Sequence, residues 1–184
     1  DGAADRSTFD PDQAVADEAA VAFGGSFGGA LLSPLRQLTF WTMKKRAKVV
    51  GEEGLHRVLE RMQSRVPGVR IHLMGHSFGC IVMSAAIAGP AGSRLPRPID
   101  SCVLVQGAVS LWAYSPDIPV DKGTAGYFAK LLSEGRVSGP LMCTRSKHDY
   151  AVGKIYPWAA GVANQVSFKG LPRFGAIGAY GICG

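Results

Sequence analysis

The chain has 184 residues, of which 47% are hydrophobic and 18% are charged. This composition suits one globular domain with a buried core and excludes a highly charged disordered chain. The formal net charge is +6 at pH 7, yet the densely basic part is confined to Lys44, Lys45, Arg46 and Lys48. Because that run interrupts an apolar helical pattern, it is interpreted as a solvated helix face, and no nucleic-acid partner is expected.

The sequence also bears on compartment, membrane and cofactors. Its cysteines lack C-x-x-C spacing, and we expect free, buried thiols, which favours a reducing compartment such as the cytoplasm, although four cysteines in an exported protein could pair. No stretch has the apolar length of a membrane span, so no integral membrane segment is expected. No metal or organic cofactor is implied. The cysteines are Cys80, Cys102, Cys143 and Cys183.

The chain is interpreted as a single domain with three parts. Residues 1–34 form an N-terminal extension, residues 35–168 the core and residues 169–184 a glycine-rich tail. In the extension, the Ala-rich run Gln13–Ala22 predicts a short helix, and Val21–Phe23 is a weak strand candidate.

The core begins with a helical pattern from Leu35 to Val66. Apolar residues recur there at three- and four-residue steps between charged residues, which predicts an amphipathic helix or a helix pair. Gly51 and Gly54 mark the expected break, and Pro67 with the glycine after it ends the helical pattern.

Strands then alternate with helices, which implies right-handed crossovers and a mostly parallel sheet flanked by helices on both faces. The predicted fold class is therefore α/β. The strand candidates are Val69–Met74, Ile99–Gln106 and Pro140–Thr144, with a short one at Gln165–Phe168, and the helix candidates are Cys80–Ala88, Ala125–Ser133 and Ala151–Ala163.

The segment Gly75-His76-Ser77-Phe78-Gly79 has the G-x-S-x-G pattern of a nucleophile elbow, a sharp turn between a strand and a buried helix. A serine hydroxyl is a poor nucleophile, so it has to stand at a strand end where a base can reach it. The glycines leave room for the turn, and the strained serine projects its oxygen outward. The backbone N–H of Phe78 and the dipole of the following helix would stabilise an oxyanion.

A second segment, Gly24-Gly25-Ser26-Phe27-Gly28, matches the same pattern. Ser26, however, follows an Ala-rich stretch and has no clear buried helix behind it, whereas Ser77 has both flanks. We therefore predict Ser77 as the nucleophile, with a chance match that has no catalytic role as the alternative.

With His-Leu-Met-Gly-His-Ser-Phe-Gly at residues 72–79, the chain resembles the α/β-hydrolase superfamily, which includes esterases, lipases and thioesterases. The resemblance extends from about Leu35 to Asn164. It implies a triad of serine, acid and histidine in that chain order, with the acid on the loop after a later strand. The expected architecture is α/β-hydrolase-like and incomplete at both ends.

Asp149 is the predicted triad acid. It lies a few residues beyond the strand Pro140–Thr144 and just before a helix, and the S-x-x-D-x-x-V pattern around it resembles the acid loop of the superfamily. The alternative is that Asp149 only caps that helix. Asp117 and Asp121, after the preceding strand, are the other candidates.

No histidine follows Asp149, although the triad base should come after the acid. His56 belongs to the amphipathic helix, His72 to a strand expected to be buried, and His76 should point away from the serine oxygen. His148 precedes the acid and would need an unusual loop. We expect the full gene product to supply the base beyond Gly184; the alternative is a degenerate fold used for binding.

These observations predict a serine hydrolase that cleaves a carboxylic ester or thioester in a small-molecule substrate through an acyl-enzyme on Ser77. The alternative is a catalytically inactive α/β-hydrolase-fold interaction module. Leu111, Trp112, Tyr114 and Ile118, in the loop over residues 107–122, would either line an apolar acyl pocket or serve as ordinary packing.

Overall fold

The computed structural model describes residues 42–119, 122–146, 167–168, 171–172 and 175–183. In this part the chain forms a three-stranded parallel sheet with helices, which confirms the predicted α/β character. The predictions for Gln13–Ala22, Val21–Phe23 and Ala151–Ala163 lie outside the described residues.

The sheet contains β1 (His72–His76), β2 (Ser101–Val105) and β3 (Leu141–Thr144), in that spatial order and all parallel. His76 pairs with Val105, and Val105 pairs with Thr144. The strands therefore end side by side, and the segments that follow them leave the sheet at one carboxyl edge.

The boundaries of β1 differ from the sequence-based prediction. The strand begins at His72 because the N–H of Ile71 donates to the carboxylate of Asp100, at 2.7 Å, instead of to a ladder carbonyl. It continues to His76 because Gly75 and His76 still pair with β2. The strand thus ends one residue before Ser77.

Two helices connect the strands. Helix α3 (Gly79–Ala88) links β1 to β2 and contacts both, and helix α4 (Ala129–Ser133) lies between β2 and β3 and contacts α3. Helix α4 begins four residues later than predicted, since Gly126 lies against the backbone of Trp112 and its N–H donates to Ser115. Helix α3 is apolar on all sides, as expected of a helix buried between layers.

A continuous helical segment precedes the sheet. It is described as α1 over residues 42–49, a π-helical stretch at Val50–Leu55 and α2 at His56–Arg65. The predicted break at Gly51 and Gly54 is therefore wrong, because the helical backbone passes through both glycines. The end of the segment ahead of Pro67 is confirmed.

Gly51 serves close helix packing. A Cβ atom at this position would lie 2.4 Å from the carbonyl oxygen of Val82 and 2.6 Å from the Cβ of Ala85, both in α3. The face of the segment that meets α3 also includes His56 and Leu59, both buried. Three apolar residues that the helical pattern predicts on one face, Val58, Met62 and Val66, are 49%, 44% and 55% exposed. These side chains therefore lie outside the face that packs against α3.

The glycine-rich tail packs against the loop that follows β2. Ala176 and Ile177 are fully buried, and helix α5 (Ile177–Tyr180) follows. The N–H of Ile177 donates to the carbonyl of Val109, and the N–H of Gly178 donates to that of Gly107. Earlier in the chain, between β3 and this segment, β4 (Ser167–Phe168) pairs antiparallel with β5 (Leu171–Pro172). The tail is thus joined by hydrogen bonds to residues near the carboxyl edge.

Among the described residues, none of the helices combines the length and the apolar character that crossing a bilayer would require.

We expect Gly51→Ala to lower the free energy of unfolding by about 2–3 kcal/mol, because the added methyl group would overlap the backbone of α3. Chemical denaturation measures this change. Gly54→Ala is the matched control, since no atom lies within 4 Å of a Cβ built there, and it should leave stability equal or raise it by up to about 1 kcal/mol. Equal effects of the two substitutions would contradict the packing described for Gly51.

Candidate active site

Ser77 occupies the turn between β1 and α3, as the sequence predicts. Its φ is 53°, a left-handed conformation that is uncommon for a residue with a side chain. The strand ends at His76 and the helix begins at Gly79, so the chain reverses direction through Ser77 and Phe78 alone. This is the sharp, strained turn that a nucleophile elbow requires.

The two glycines of the motif have different surroundings. A Cβ atom on Gly75 would lie 2.5 Å from the carbonyl oxygen of Gly79 and 2.8 Å from the nitrogen of Cys80. A Cβ atom on Gly79 would meet no atom within 4 Å. The close approach that the motif implies therefore occurs at Gly75, where the strand passes the first turn of α3. At Gly79 the structure shows no neighbouring atom that a side chain would displace, contrary to the expectation that both glycines leave room for the turn.

Hydrogen bonds hold the backbone of Ser77 on both sides. Its N–H donates to the carbonyl of Val105 at 3.1 Å, and its carbonyl accepts from the N–H groups of Cys80 and Ala108, both at 3.1 Å. No hydrogen bond joins its hydroxyl to another described residue. Ser77 is also only partly buried. The backbone of Ser77 is thus fixed, while its hydroxyl oxygen has no hydrogen bond to a described neighbour.

Phe78 stands at the N-terminus of α3. Its φ and ψ are −63° and −23°, and its carbonyl accepts from the N–H groups of Ile81 and Val82 at 3.0 and 3.3 Å. Its side chain is half-buried against the core. The amide N–H of Phe78 therefore belongs to the positive end of the helix dipole, directly after the serine.

The segment after β2 adjoins the serine, a contact that the sequence did not reveal. Gln106 also has a left-handed backbone, with φ of 44°, and the N–H of Ala108 is bonded to the Ser77 carbonyl. Gly107 lies close to the core, where an added Cβ would be 2.7 Å from the Cδ1 of Ile177. The only sequence signal for this contact was the end of an apolar strand followed by a glycine.

The predicted triad acid, Asp149, and the alternative Asp121 lie outside the described residues. Asp117 is described and exposed. Its carboxylate accepts from the N–H of Gly123 at 2.7 Å, and its carbonyl accepts from the hydroxyl of Ser115 at 2.6 Å. The described hydrogen bonds of Asp117 thus join residues of the loop to which it belongs.

The described histidines occupy two different environments, one in the interior and one on the exposed face of β1. His56 is buried, with Nδ1 donating to the carbonyl of Ala86 at 2.7 Å and Nε2 hydrogen-bonded to the hydroxyl of Ser93 at 3.0 Å. The expectation that His72 lies in a buried position is wrong, because its strand has an open face; His72 is exposed and hydrogen-bonded to Ser101 at 2.7 Å. His76 lies on the same exposed face of β1. His148 lies outside the described residues.

Two cysteines lie in the core near the turn. The thiol of Cys80 donates to the carbonyl of Gly75 at 3.1 Å, and burial raises the pKa of Cys80 to about 12. Burial likewise raises the pKa of Cys102 to about 11. Both thiols therefore stay neutral at physiological pH and are poor nucleophiles. The prediction of free buried thiols is confirmed for these two, whereas Cys143 and Cys183 are free and half-buried.

In the described part of the loop after β2, most of the side chains expected to line an apolar pocket are buried in the interior. Leu111, Trp112 and Tyr114 are buried, and the phenol of Tyr114 is hydrogen-bonded to the hydroxyl of Ser84 at 2.5 Å. These side chains therefore pack the core, while Ile118 is half-buried. A cavity of about 310 Å³ lies elsewhere, between Ile87 and residues 94–98 and 134–136, which precede β2 and β3. It is thus at the opposite edge of the sheet from Ser77.

Other charged and ligand-type residues are dispersed. Among the described residues, no group of three or more histidine, cysteine or acidic side chains is placed to hold a metal ion. In the basic run, Lys48 pairs with Glu52 at 3.9 Å and stands 3.9 Å from the centre of the Tyr127 ring. Burial lowers the pKa of Lys44 to about 8. The run is therefore partly engaged in packing instead of being a uniformly solvated face.

Comparison of the chain with models of protein families, with curated proteins and with solved structures finds no match in any of the three. The functional interpretation therefore depends on the residues and geometry described above.

We expect Gly75→Ala to lower the free energy of unfolding by about 3 kcal/mol, because its Cβ would overlap backbone atoms at the start of α3. Thermal or urea denaturation measures the loss. Gly79→Ala is the control from the same motif and should change stability by less than about 1 kcal/mol, since its Cβ meets open space. If Gly75→Ala were as well tolerated as Gly79→Ala, the close crossing of strand and helix would be refuted.

Proposed function

We propose that the chain carries the nucleophile of an α/β-hydrolase-type serine hydrolase and that Ser77 attacks the carbonyl carbon of a carboxylic ester or thioester. The observation that carries the proposal is the left-handed φ of 53° at Ser77, in a two-residue turn from a parallel strand to a buried helix. A non-glycine residue is held in this conformation only where its surroundings impose it, and such strain is concentrated at functional sites.

The sheet topology supports the same proposal. The serine follows β1, and β3 is the strand after which the predicted acid Asp149 comes in the sequence. Two strand spacings, about 10 Å, separate the ends of β1 and β3. An imidazole ring with a hydrogen bond on each side spans a gap of this order, which agrees with the proposal that a histidine bridges Ser77 and the acid that follows β3 in the sequence.

The proposed reaction proceeds through an acyl-enzyme. The histidine accepts the hydroxyl proton as the Ser77 oxygen bonds to the carbonyl carbon, and the N–H of Phe78 with the N-terminus of α3 stabilises the oxyanion. Collapse of the tetrahedral intermediate breaks the bond to the alcohol or thiol, which takes the proton from the histidine. Water then attacks the acyl group by the same steps and releases the acid and Ser77.

The base of this proposal is a histidine outside the described residues. His56 and His72 are hydrogen-bonded to partners away from the turn, and His76 faces the exposed side of β1. Asp149 orients the base and stabilises its protonated form. The competing function, an inactive interaction module of the same fold, requires no base and makes the opposite prediction for covalent labelling.

We expect the full-length protein to react with a fluorophosphonate probe and to hydrolyse p-nitrophenyl butyrate. Ser77→Ala should abolish labelling and lower kcat/KM by about 1000-fold or more, because the attacking oxygen is removed. Mass spectrometry of the labelled protein and a spectrophotometric assay measure the two effects.

Ser26→Ala is the matched control, since Ser26 occupies the second G-x-S-x-G segment. It should leave both labelling and hydrolysis unchanged. A full-length protein that does not label, or that labels equally after Ser77→Ala, would favour the inactive module and end the enzyme proposal.

A further inference from the structure

Gln106 is the first residue after β2, and its backbone is left-handed, with φ of 44°. Among the described residues, Ser77 and Gln106 are the two non-glycine residues with positive φ. They are also neighbours in the sheet, because His76 and Val105 form the last pair of the β1–β2 ladder. Two strained residues therefore stand side by side at the carboxyl edge.

Three contacts hold Gln106 in this conformation. Its N–H donates to the hydroxyl of Thr144, at the end of β3, at 3.2 Å. The carbonyl of the preceding residue, Val105, accepts from Ser77 at 3.1 Å. On its other side lies Gly178, where an added Cβ would be 2.6 Å from the carbonyl carbon of Gln106. Both neighbouring strands and the C-terminal segment thus fix this one residue.

No hydrogen bond from the part of the chain that the structure describes holds the side chain of Gln106. Gln106 is half-buried, and its carboxamide makes no hydrogen bond to any described residue. Glycine would adopt the same backbone conformation without strain, and asparagine or aspartate would tolerate it better than glutamine. A strained polar residue beside a nucleophile, with a half-buried and unused amide, is the kind of outlier from which a functional role is inferred.

We propose that Gln106 is a substrate-binding residue whose carboxamide hydrogen-bonds a neutral polar group next to the carbonyl that Ser77 attacks. Adjacent strands lie about 4.8 Å apart, so the backbone of Gln106 lies within side-chain reach of Ser77 and of a substrate bound there. A carboxamide is uncharged and offers both donors and an acceptor. It matches a hydroxyl or amide group on the acyl chain better than an alkyl branch or a carboxylate.

This inference depends on the proposed hydrolase function and specifies its substrate class as acyl esters or thioesters that carry a hydroxyl or amide close to the scissile carbonyl. A site built to hydrogen-bond a substrate group discriminates against an analogue that lacks it, because the protein group is then left without a partner.

The test compares matched p-nitrophenyl esters that differ by a hydroxyl in place of a methyl group. One pair is the esters of lactic and isobutyric acid, and the other is the esters of β-hydroxybutyric and isovaleric acid. We expect the full-length protein to prefer the hydroxyl-bearing ester of at least one pair by about 10-fold in kcat/KM. In Gln106→Ala and in Gln106→Gly this preference should fall to within about 2-fold of the ratio of the uncatalysed hydrolysis rates of the same two esters, and the preference of about 10-fold in the unsubstituted protein is likewise taken relative to that ratio.

The two substitutions separate recognition from a backbone role. Gln106→Gly removes the strain together with the amide, whereas Gln106→Ala removes the amide and keeps the strain. If Gln106 only shapes the turn, the variants differ from each other in stability and affect both esters of a pair equally. Loss of selectivity that is equal in both variants, with thermal melts showing that each is folded, supports recognition by the amide.

The outcomes distinguish this inference from the function on which it depends. If Ser77 labels with the fluorophosphonate probe and the esters are hydrolysed, but both pairs show no preference or keep it in the variants, the role of Gln106 is overturned and the hydrolase proposal stands. If the unsubstituted protein neither labels nor hydrolyses any ester, both proposals fail together.

Discussion

The backbone of β1 passes so close to the first turn of α3 that there is no room for a side chain at Gly75. Because the strand continues to His76 and the helix starts at Gly79, the reversal has to be completed at Ser77 and Phe78. The left-handed backbone conformation of Ser77 allows the chain to reverse within these two residues. The conformation that presents the hydroxyl is therefore a consequence of how tightly the strand and the helix cross, and it is maintained by the packing of the core.

The parallel sheet determines what else stands near the serine. Since the three strands end in register, the segments after β2 and β3 begin at the same edge. The segment after β2 bonds directly to the peptide groups of Ser77 and places Gln106 beside it. The C-terminal segment then closes against Gln106 through Gly178. Residues distant in sequence thus pack and hydrogen-bond together at one edge of the sheet, where the proposed reaction takes place.

Several features could be predicted from sequence because local pattern determines them. The run of apolar residues behind Ser77 identified α3, and a nearly continuous apolar run identified β2, because buried elements show their burial in composition. The position of the serine at a strand-to-helix turn followed from the same flanks. The positions of Ser77 and Phe78 in the turn and the close approach at Gly75 therefore agree with the structure, while the catalytic roles of Ser77, Phe78 and Asp149 stay predictions.

Other features depend on contacts between distant segments, which periodicity does not encode. Gly51 was interpreted as a helix break, but it allows α3 to approach the helical segment closely. His72 was expected in the interior, but one face of its strand is open. Gln106 gave no signal, because its conformation is imposed by Thr144 and Gly178, which lie 38 and 72 residues further along the chain. Tertiary packing decided each of these cases.

A crystal structure of the full-length protein after reaction with a phosphonate inhibitor would test the proposed role of Ser77. We expect a covalent bond from the Ser77 oxygen to phosphorus, a Ser77 backbone that remains left-handed, and a phosphonyl oxygen about 2.7–3.1 Å from the amide nitrogen of Phe78. An adduct on another residue, or a Ser77 in an ordinary extended or helical conformation with its hydroxyl turned into the core, would contradict that role.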